Sequence, residues 1–454
     1  MDTIAAISTA PGNGGIGIIR MSGKDCFDIL NKIFIPKNKE KEIKGYTIKY
    51  GEIAYNNEII DEVLVSYFIA PKSYTTENMC EINSHGGIIV TNKILELCIK
   101  NGARLAEPGE FTKKAFLNGR IDLSQAEAII DIINSKTEKE LKASTKQLEG
   151  YLSKEIQNIK ANILEILVDI EASIDYPEYD IEEVTNEKAM QKLLVIKEKE
   201  EKLLKSFENG KIIKQGLNVA IIGRPNAGKS SLLNAILKEE RAIVTNIEGT
   251  TRDTIEEFIT IEGIPVKIID TAGIRNANDE IEKIGIEKSK KIAEEADLII
   301  TVIDSSSELS NEDKEILEFT KDKKGIIVLN KNDLKTQIDE NTYEIHTLNK
   351  KIIKISALNK NGIDEIYKQI SEMFNFGEIV IDESTVITSQ RQKEAIENAL
   401  KNTIKCIETI ANKMPIDIVA IHLTENLKEL GKITGETVSE EIIKEIFKKF
   451  CLGK

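Results

Sequence analysis

Apolar positions at Leu141, Leu148, Leu152, Ile156, Ile159, Ile163, Ile166 and Ile170 are separated by 7, 4, 4, 3, 4, 3 and 4 residues. That spacing places them on one stripe of a long helix, which must pack in a bundle to bury it. An acidic stretch containing Tyr176-Pro177-Glu178 interrupts the pattern, because proline cannot continue the backbone ladder; another helical run covers about Glu187 to Glu208. Upstream the pattern differs. Short apolar runs alternate with glycines from Thr3 to about Lys49, β-type segments Gly51–Tyr55 and Glu62–Ile69 flank a polar turn at Asn56-Asn57, and a helical stretch spans Gly87 to Lys100. Downstream, buried-strand runs recur at Val219–Ile222, Val266–Ile269, Leu298–Ile303, Ile326–Leu329 and Ile352–Ile355, with helical patterns between several of them. That alternation predicts a mostly parallel sheet covered by helices on both faces. The helical period returns after Ser389 and lasts through Cys451, where Thr437 and Glu440 have capping-box spacing for the last helix.

These elements group into a mixed α and β domain at 1–118, a helical part at 119–215, an α/β domain at 216–377 and a second helical part at 378–454. Two half-bundles need each other's apolar stripes, so the simplest reading is one discontinuous helical domain interrupted by an inserted α/β domain. Separate small bundles are the alternative.

Charged residues are 30% and apolar ones 41% of the 454, a globular composition that excludes disorder and collagen-like repeats. Lys plus Arg is 62 against 76 for Asp plus Glu, a net charge of −14, which argues against a nucleic-acid coat held by counterion release. Any RNA contact must be local or made through a partner. Cys26, Cys80, Cys98, Cys406 and Cys451 are odd in number and never spaced C-x-x-C, so neither a disulfide framework nor a zinc ribbon fits and a reducing cytoplasm is expected. His85, His346 and His422 are too dispersed for a histidine metal cage. Asp2 follows Met1 where a secretory leader would be basic, and no apolar run approaches the roughly 18 residues of a membrane span, so no membrane association is expected.

The strongest chemical signal is Gly223-Arg224-Pro225-Asn226-Ala227-Gly228-Lys229-Ser230, directly after the strand Asn218–Ile222 and before a helical pattern from Ser231. Its glycines let backbone amides curl around phosphate, Lys229 meets the terminal phosphates, and the Ser230 hydroxyl ligates magnesium. Asp270-Thr271-Ala272-Gly273 ends a strand, where Asp270 can hold magnesium through water and the Gly273 amide can sense a γ-phosphate. Asn330-Lys331-Asn332-Asp333 ends another. The Asp333 carboxylate can accept from N1–H and the 2-amino group of guanine; adenine offers neither donor, a mismatch worth about 10⁴-fold in selection. Ser356-Ala357-Leu358 completes the base pocket through backbone amides. In this order, each at a strand's C-terminal edge, the segments identify a GTP-binding G domain.

In these segments the chain resembles the translation-factor-related GTPases, and GRPNAGKSSLLN with GTTRD is similar to the MnmE (TrmE) family of tRNA-modifying GTPases. PGNGGIGIIRMSG, HGG, PGEFTKKAFLNGRIDLSQAEA and the final Cys451-Leu452-Gly453-Lys454 match that family too, so the resemblance covers essentially the whole chain. It implies a multidomain α+β fold: an N-terminal α/β folate-binding-like domain that also dimerises, a discontinuous all-α helical domain, and an inserted Ras-like P-loop α/β G domain. Ras-like enzymes place Gln after D-x-x-G to orient water, whereas here Ile274 can neither donate nor accept. The family's catalytic glutamate falls on Glu282. Asn226 either braces its loop or offers its amide oxygen to a monovalent cation, doing the task of an arginine finger. The resemblance implies potassium there, held by Asn226, Thr245, Ile247 and Thr250, with Thr251 completing magnesium binding; Asn246, Glu248 and Gly249 of the same loop would join the nucleotide site, which also takes in Ser231. Arg252 and Arg275 flank these segments and read equally as surface ion pairs.

Gly12-Asn13-Gly14-Gly15-Ile16-Gly17 fits G-x-G-x-x-G, yet Ile16–Met21 continues as a strand-like run where a dinucleotide-binding helix should start, so a glycine turn is expected. The resemblance assigns the N-terminal domain a methylene- or formyl-tetrahydrofolate site at Arg20, Glu81, Arg120 and Lys454, residues that on their own read as surface charges. A carboxylate such as Glu81 can pair with a pterin's amide-amine edge while cations take the glutamate tail. Lys454 would approach from the C-terminal helix or from a second subunit. Cys451, with Lys448 and Lys449 nearby, reads as either a passive thiol or a nucleophile, and His85, before two glycines, as a ligand group or, preferably, a turn residue. The family implies a homodimer that joins the FAD-containing flavoprotein MnmG (GidA) in a heterotetramer or larger complex and modifies C5 of the wobble uridine of certain tRNAs, with glycine or ammonium completing the aminomethyl group. A rival reading is a ribosome-assembly GTPase acting as an RNA-binding switch, which would be expected to carry a KH-type G-x-x-G module or a second G domain.

Overall fold

The computed structural model describes residues 2–38, 44–175, 182–237, 242–243, 257–269, 291–377 and 387–454. By internal contacts the chain divides into two compact units, one of Met1–Ile133, Lys146–Glu201 and Glu394–Lys454, the other of Asn134–Thr145 and Lys202–Lys393.

The first unit opens with β1 (Ile4–Ile7), β2 (Gly14–Ser22), α1 (Cys26–Ile33), β3 (Phe34–Pro36), β4 (Thr47–Tyr55), β5 (Glu58–Phe68), β6 (Met79–Gly86), α2 (Ile88–Lys100) and β7 (Arg104–Leu105). The sheet order is β3-β4-β5-β6-β2-β1-β7, antiparallel except for β1 with β7. Alternation sorts its faces: Ile19, Met21, Cys80 and Ile82 pack under α1 and α2, while Arg20 and Glu81, paired across β2 and β6, face the other way. The glycine run before Ile16 leads into β2 and not into a helix, as the strand-like sequence requires.

The helices that follow are α3 (Glu110–Leu117), α4 (Leu123–Asn134) and α6 (Tyr151–Asp175) of this unit, α5 (Glu138–Leu148), most of which counts with the second unit, and α7 (Glu182–Gln215), which runs on into the second unit. The predicted long stripe is two helices. Leu152, Ile156, Ile159, Ile163, Ile166 and Ile170 are buried along α6, but Gly150 at φ +84 breaks the ladder before it, and Leu141 on α5 is 44% exposed.

In the second unit come β8 (Leu217–Ile222), α8 (Lys229–Leu237), β9 (Ala242–Ile243), β10 (Glu257–Ile261), β11 (Ile264–Ile269), β12 (Leu298–Asp304), α9 (Asn311–Thr320), β13 (Gly325–Asn330), α10 (Tyr343–His346), β14 (Lys351–Lys354) and α11 (Ile363–Met373). Their order is β14-β13-β12-β8-β11-β10-β9, parallel from β14 to β11, with β10 and β9 antiparallel at the edge. The central strands are buried on both faces, which is why they read as unbroken apolar runs.

The chain ends with α12 (Gln390–Ala411), α13 (Ile416–Thr434) and α14 (Glu440–Lys448). α13 packs along α6, and Glu200 of α7 meets Thr403 of α12 and Asn426 of α13, so the two helical parts form one domain and not separate bundles. α14 lies against α3 and α4 through Phe447, Phe450, Ala115, Leu123 and Ala126. The expected capping box at Thr437 does not form: Ser439 is the N-cap without a side-chain bond, and the Thr437 hydroxyl donates instead to the Lys428 carbonyl at 2.7 Å. A capping box does close on α9, between Ser310 and Asp313. Among the described residues no helix is long and apolar enough to cross a membrane.

Candidate functional site

β8 delivers Gly223 to the sheet's C-terminal edge, and the loop turns through Asn226 at φ +60 and Gly228 at φ +98 before α8 begins at Lys229. Gly228 is required twice over, by its left-handed backbone and because a Cβ there would stand 2.0 Å from the Asn330 Nδ2 atom. The Lys229 ammonium curls over the loop, donating to the carbonyls of Gly223 at 2.7 Å and Arg224 at 2.8 Å. Burial pushes this lysine below its ordinary pKa, partly offset by the charge of Glu312. Ser230 and Ser231 are exposed on the first turn of α8, where amides and hydroxyl suit an anion with its cation.

Asn330, buried at the end of β13, joins the loop to the opposite side of the site. Its Nδ2 donates to the Ala227 carbonyl at 3.0 Å, and its Oδ1 accepts the Ala357 amide at 3.0 Å. Lys331, at φ +64, pairs with Asp304 at the end of β12 at 2.6 Å. Burial alone would raise the Asp304 carboxyl, but Lys331 and the hydroxyl and amide of Ser306 hold it below the usual carboxylate range. The Asn332 amide donates to the Ile355 carbonyl at 3.0 Å, and the Ser356 hydroxyl donates to Asp333 Oδ1 at 2.6 Å. Asp333 and Leu358 stay exposed while Ser356 and Ala357 are buried. The structure therefore brings Asn226–Ser231, Asn330–Asp333 and Ser356–Leu358 to one edge of one sheet. Asp270, Thr271, Ala272, Gly273, Glu282 and the loop from Thr245 through Asn246, Ile247, Glu248, Gly249 and Thr250 to Thr251 lie outside the described residues, as do Arg252 and Arg275.

A second cluster forms in the first unit. Arg20 donates through Nε to Glu81 Oε1 at 2.9 Å and through Nη1 to the Gly453 carbonyl at 3.1 Å. Its guanidinium lies 5.5 Å from the Tyr74 ring centroid and 5.6 Å from that of Phe111; Arg120 stacks on the same Tyr74 ring at 4.6 Å and donates to the Tyr74 carbonyl at 2.9 Å. The last residues are threaded here within one chain: the Ser8 hydroxyl donates to the Gly453 carbonyl at 3.0 Å and the Phe111 amide to the Lys454 carbonyl at 3.1 Å. Gly453 is at φ +87, and a Cβ on it would meet the Ile7 carbonyl oxygen at 2.5 Å. So Arg20, Glu81, Arg120 and Lys454, spread over the sequence, converge. Sequence reasoning missed Tyr74, Phe111 and Gly453 in this cluster and Asp304 in the other. Nothing periodic marks Tyr74; only the glycine before the last residue hinted at a special backbone.

His85 closes β6 and is not a turn residue. Its Nδ1 lies 2.6 Å from Asp61 Oδ1, and that bond raises its pKa. Cys26, Cys80, Cys98 and Cys406 are buried, and burial pushes the Cys98 and Cys406 thiols up to about 12; Cys451 is exposed. Among the described residues no group of three or more His, Cys, Asp or Glu side chains is arranged to hold a metal.

Comparison with known proteins places these two clusters in one context. The family model of the MnmE helical domain matches residues 123–451, and that of the GTP-binding protein TrmE N-terminus matches residues 3–120. The chain is 50% identical over 455 residues to the tRNA modification GTPase MnmE of Acetivibrio thermocellus, covering 100% of this chain and 99% of that one. It is 51% identical over 457 residues to its namesake from Thermoanaerobacter pseudethanolicus and 50% identical over 456 residues to that of Clostridioides difficile, each with 100% of this chain and 99% of the other covered.

Proposed function

Since this chain belongs to the MnmE family of tRNA modification GTPases, we propose that it hydrolyses GTP in the service of wobble-uridine modification. In this reading it is a cytoplasmic, potassium-dependent GTP hydrolase that acts with the FAD-containing flavoprotein MnmG (GidA), in a heterotetramer or larger complex, to install the 5-carboxymethylaminomethyl or aminomethyl group on certain tRNAs. The observation that carries it is the Gly223–Ser230 loop clasped to Asn330 in a chain about half identical, end to end, to enzymes of that name.

Each residue has a role in this reading. The loop amides and Lys229 bind the phosphates; Asp333, Asn330 and the 356–358 loop select guanine; Ser230 and Thr251 hold magnesium, with Asp270 through water. Asn226, Thr245, Ile247 and Thr250 hold potassium, and Glu282 orients the attacking water. The domains run 1–118, 119–215, 216–377 and 378–454. Arg20, Glu81, Arg120 and Lys454 bind a methylene- or formyl-tetrahydrofolate. Two guanidinia flanking an aromatic ring, with a carboxylate beside them, suit a planar pterin with an acidic tail, and Glu81 would receive its amide-amine edge. That group supplies a one-carbon unit; the chain's own residues bind and orient it. Exposed Ile48, Tyr50 and Leu64 on the open face of the N-terminal sheet support a homodimer made through that domain.

Mass spectrometry of tRNA nucleosides tests the function. Cells lacking the protein should lose the 5-aminomethyl-type uridines. Persistence of those uridines with GTPase activity intact would favour the ribosome-assembly reading. For the hydrolytic step, turnover should be faster in potassium than in sodium at equal ionic strength, and Glu282→Ala should slow it at least about 10²-fold with GTP affinity kept. Equal rates in the two salts would remove the cation site, and near-normal Glu282→Ala turnover would remove Glu282.

A further inference from the structure

Arg224 stands in the phosphate loop, yet nothing in the roles above uses its side chain. Pro225 behind it restricts its backbone to extended conformations, so the chain leaves β8 in a defined direction. The guanidinium then reaches across to α9. Its Nε lies 3.2 Å from Asp313 Oδ2, and one of its terminal nitrogens donates to the Ser307 hydroxyl. The Asp313 side chain is 1% exposed, and its Oδ2 already accepts the amide of Ser310 at 3.1 Å and its hydroxyl at 2.9 Å. Helix α9 is thus capped without any arginine. Among the described residues, Arg224 Nε and Asp313 Oδ1 are buried polar atoms with no hydrogen-bond partner, so charge attraction in a dry setting joins the pair, at a desolvation cost to both. Ordering a long side chain there has an entropic cost as well. What the arrangement secures is the loop itself, because the carbonyl of Arg224 is one of the two that hold the Lys229 ammonium.

We propose that Arg224 is a positioning residue: anchored on Asp313 and Ser307, it fixes the main chain that aims Lys229 at the terminal phosphates of GTP. This rests on the GTP-binding reading above. It gives arginine, and not lysine, a reason to be at this position, since a planar fork reaches two acceptors at once where an ammonium is a single point charge.

The test uses the full-length chain in magnesium and potassium, with Arg224→Ala, Arg224→Lys, Asp313→Asn and the Arg224→Ala/Asp313→Asn double variant. Dissociation constants for GTP and GDP, turnover number and melting temperature are read for each. Arg224→Ala should lower turnover about 10-fold and weaken GTP several-fold more than GDP, a loss of the size that misplacing a phosphate-contacting group produces. Arg224→Lys should recover only part of this, and the double variant should be no worse than Arg224→Ala alone, because both changes break one contact. An Arg224→Ala protein that melts earlier but keeps its turnover and GTP-to-GDP ratio would reduce the pair to a structural brace and overturn the proposal, as would full additivity in the cycle. If Arg224→Ala does not fold, Arg224→Lys carries the same readouts against Asp313→Asn. Wild-type protein that binds no GTP would sink the nucleotide reading instead, a result separable from all of these.

Discussion

At the scale of single residues, the proposed nucleotide site depends on positions where a side chain has no room. Gly228→Ala would place a methyl group against the Asn330 amide and force a left-handed backbone, local strain on the order of 1–3 kcal/mol. We expect it to weaken GTP binding at least about 10-fold while the N-terminal cluster is untouched. Gly15→Ala, with nothing within 4 Å of its Cβ, should stay within about 0.5 kcal/mol of wild type. Nucleotide titration and thermal melting of the two variants check both statements. The phosphate loop was legible in the sequence because its chemistry is local: glycines, a lysine and a serine in eight consecutive residues. The double clasp of Asn330 and the stacking of Tyr74 between two arginines were not, because each joins strands or loops distant in the chain, and spacing carries no trace of such contacts.

Among the elements, the helical domain carries a polar junction at Glu200 in an otherwise apolar setting. Thr403 donates to Glu200 Oε2 at 2.8 Å, and Asn426 Nδ2 donates to Glu200 Oε1 at 3.2 Å and to the Thr403 hydroxyl at 2.7 Å. Burial pushes Glu200 up to about 7, the two hydrogen bonds offsetting only part of it, and its titratable neighbour Cys406 stays neutral with a thiol pushed up to about 12. The folded pKa lies above the unfolded carboxylate value of about 4.3, so the stabilisation is fully present below pH ~4.3 and is lost as pH rises through about 7. The change amounts to roughly 4 kcal/mol over that window. Glu200→Gln should flatten this slope, matching wild type near pH 4 and melting later at pH 8. Chemical denaturation at the two pH values reads the difference, and parallel slopes would mean Glu200 stays ionised when folded. The sequence showed the α6 stripe by its period but not the break at Gly150, because the 7- and 4-residue steps keep their phase across it. It placed a capping box at Thr437 from spacing alone, where a backbone carbonyl of α13 competes for the hydroxyl.

Over the whole molecule, the ends of the chain make one cluster: strands from its first residues, Tyr74 and Arg120 between, and the final tetrapeptide seated on Ser8 and Arg20. Deleting residues 451–454 should therefore lower affinity for a tetrahydrofolate derivative at least about 10-fold and leave GTP turnover within about 2-fold, since the nucleotide loop belongs to the other compact unit and shares no partner with the tail. Ligand titration and a phosphate-release assay on the truncated chain measure each. An inserted α/β domain inside a helical one was legible, since periodicity changes twice and each half-bundle has an unburied stripe; the convergence of the two ends was reached only through family likeness. The cysteines have a practical corollary. Four thiols are sealed inside; the hydrogen bond with Cys26 and burial make that of Cys80 hard to ionise, and burial does the same for Cys98 and Cys406, whereas Cys451 is exposed two residues from the carbonyl that Arg20 holds. A maleimide dye or nitroxide added to the unaltered protein near neutral pH will attach at that one address, giving fluorescence or electron-spin resonance a reporter beside the cluster without a single engineered change.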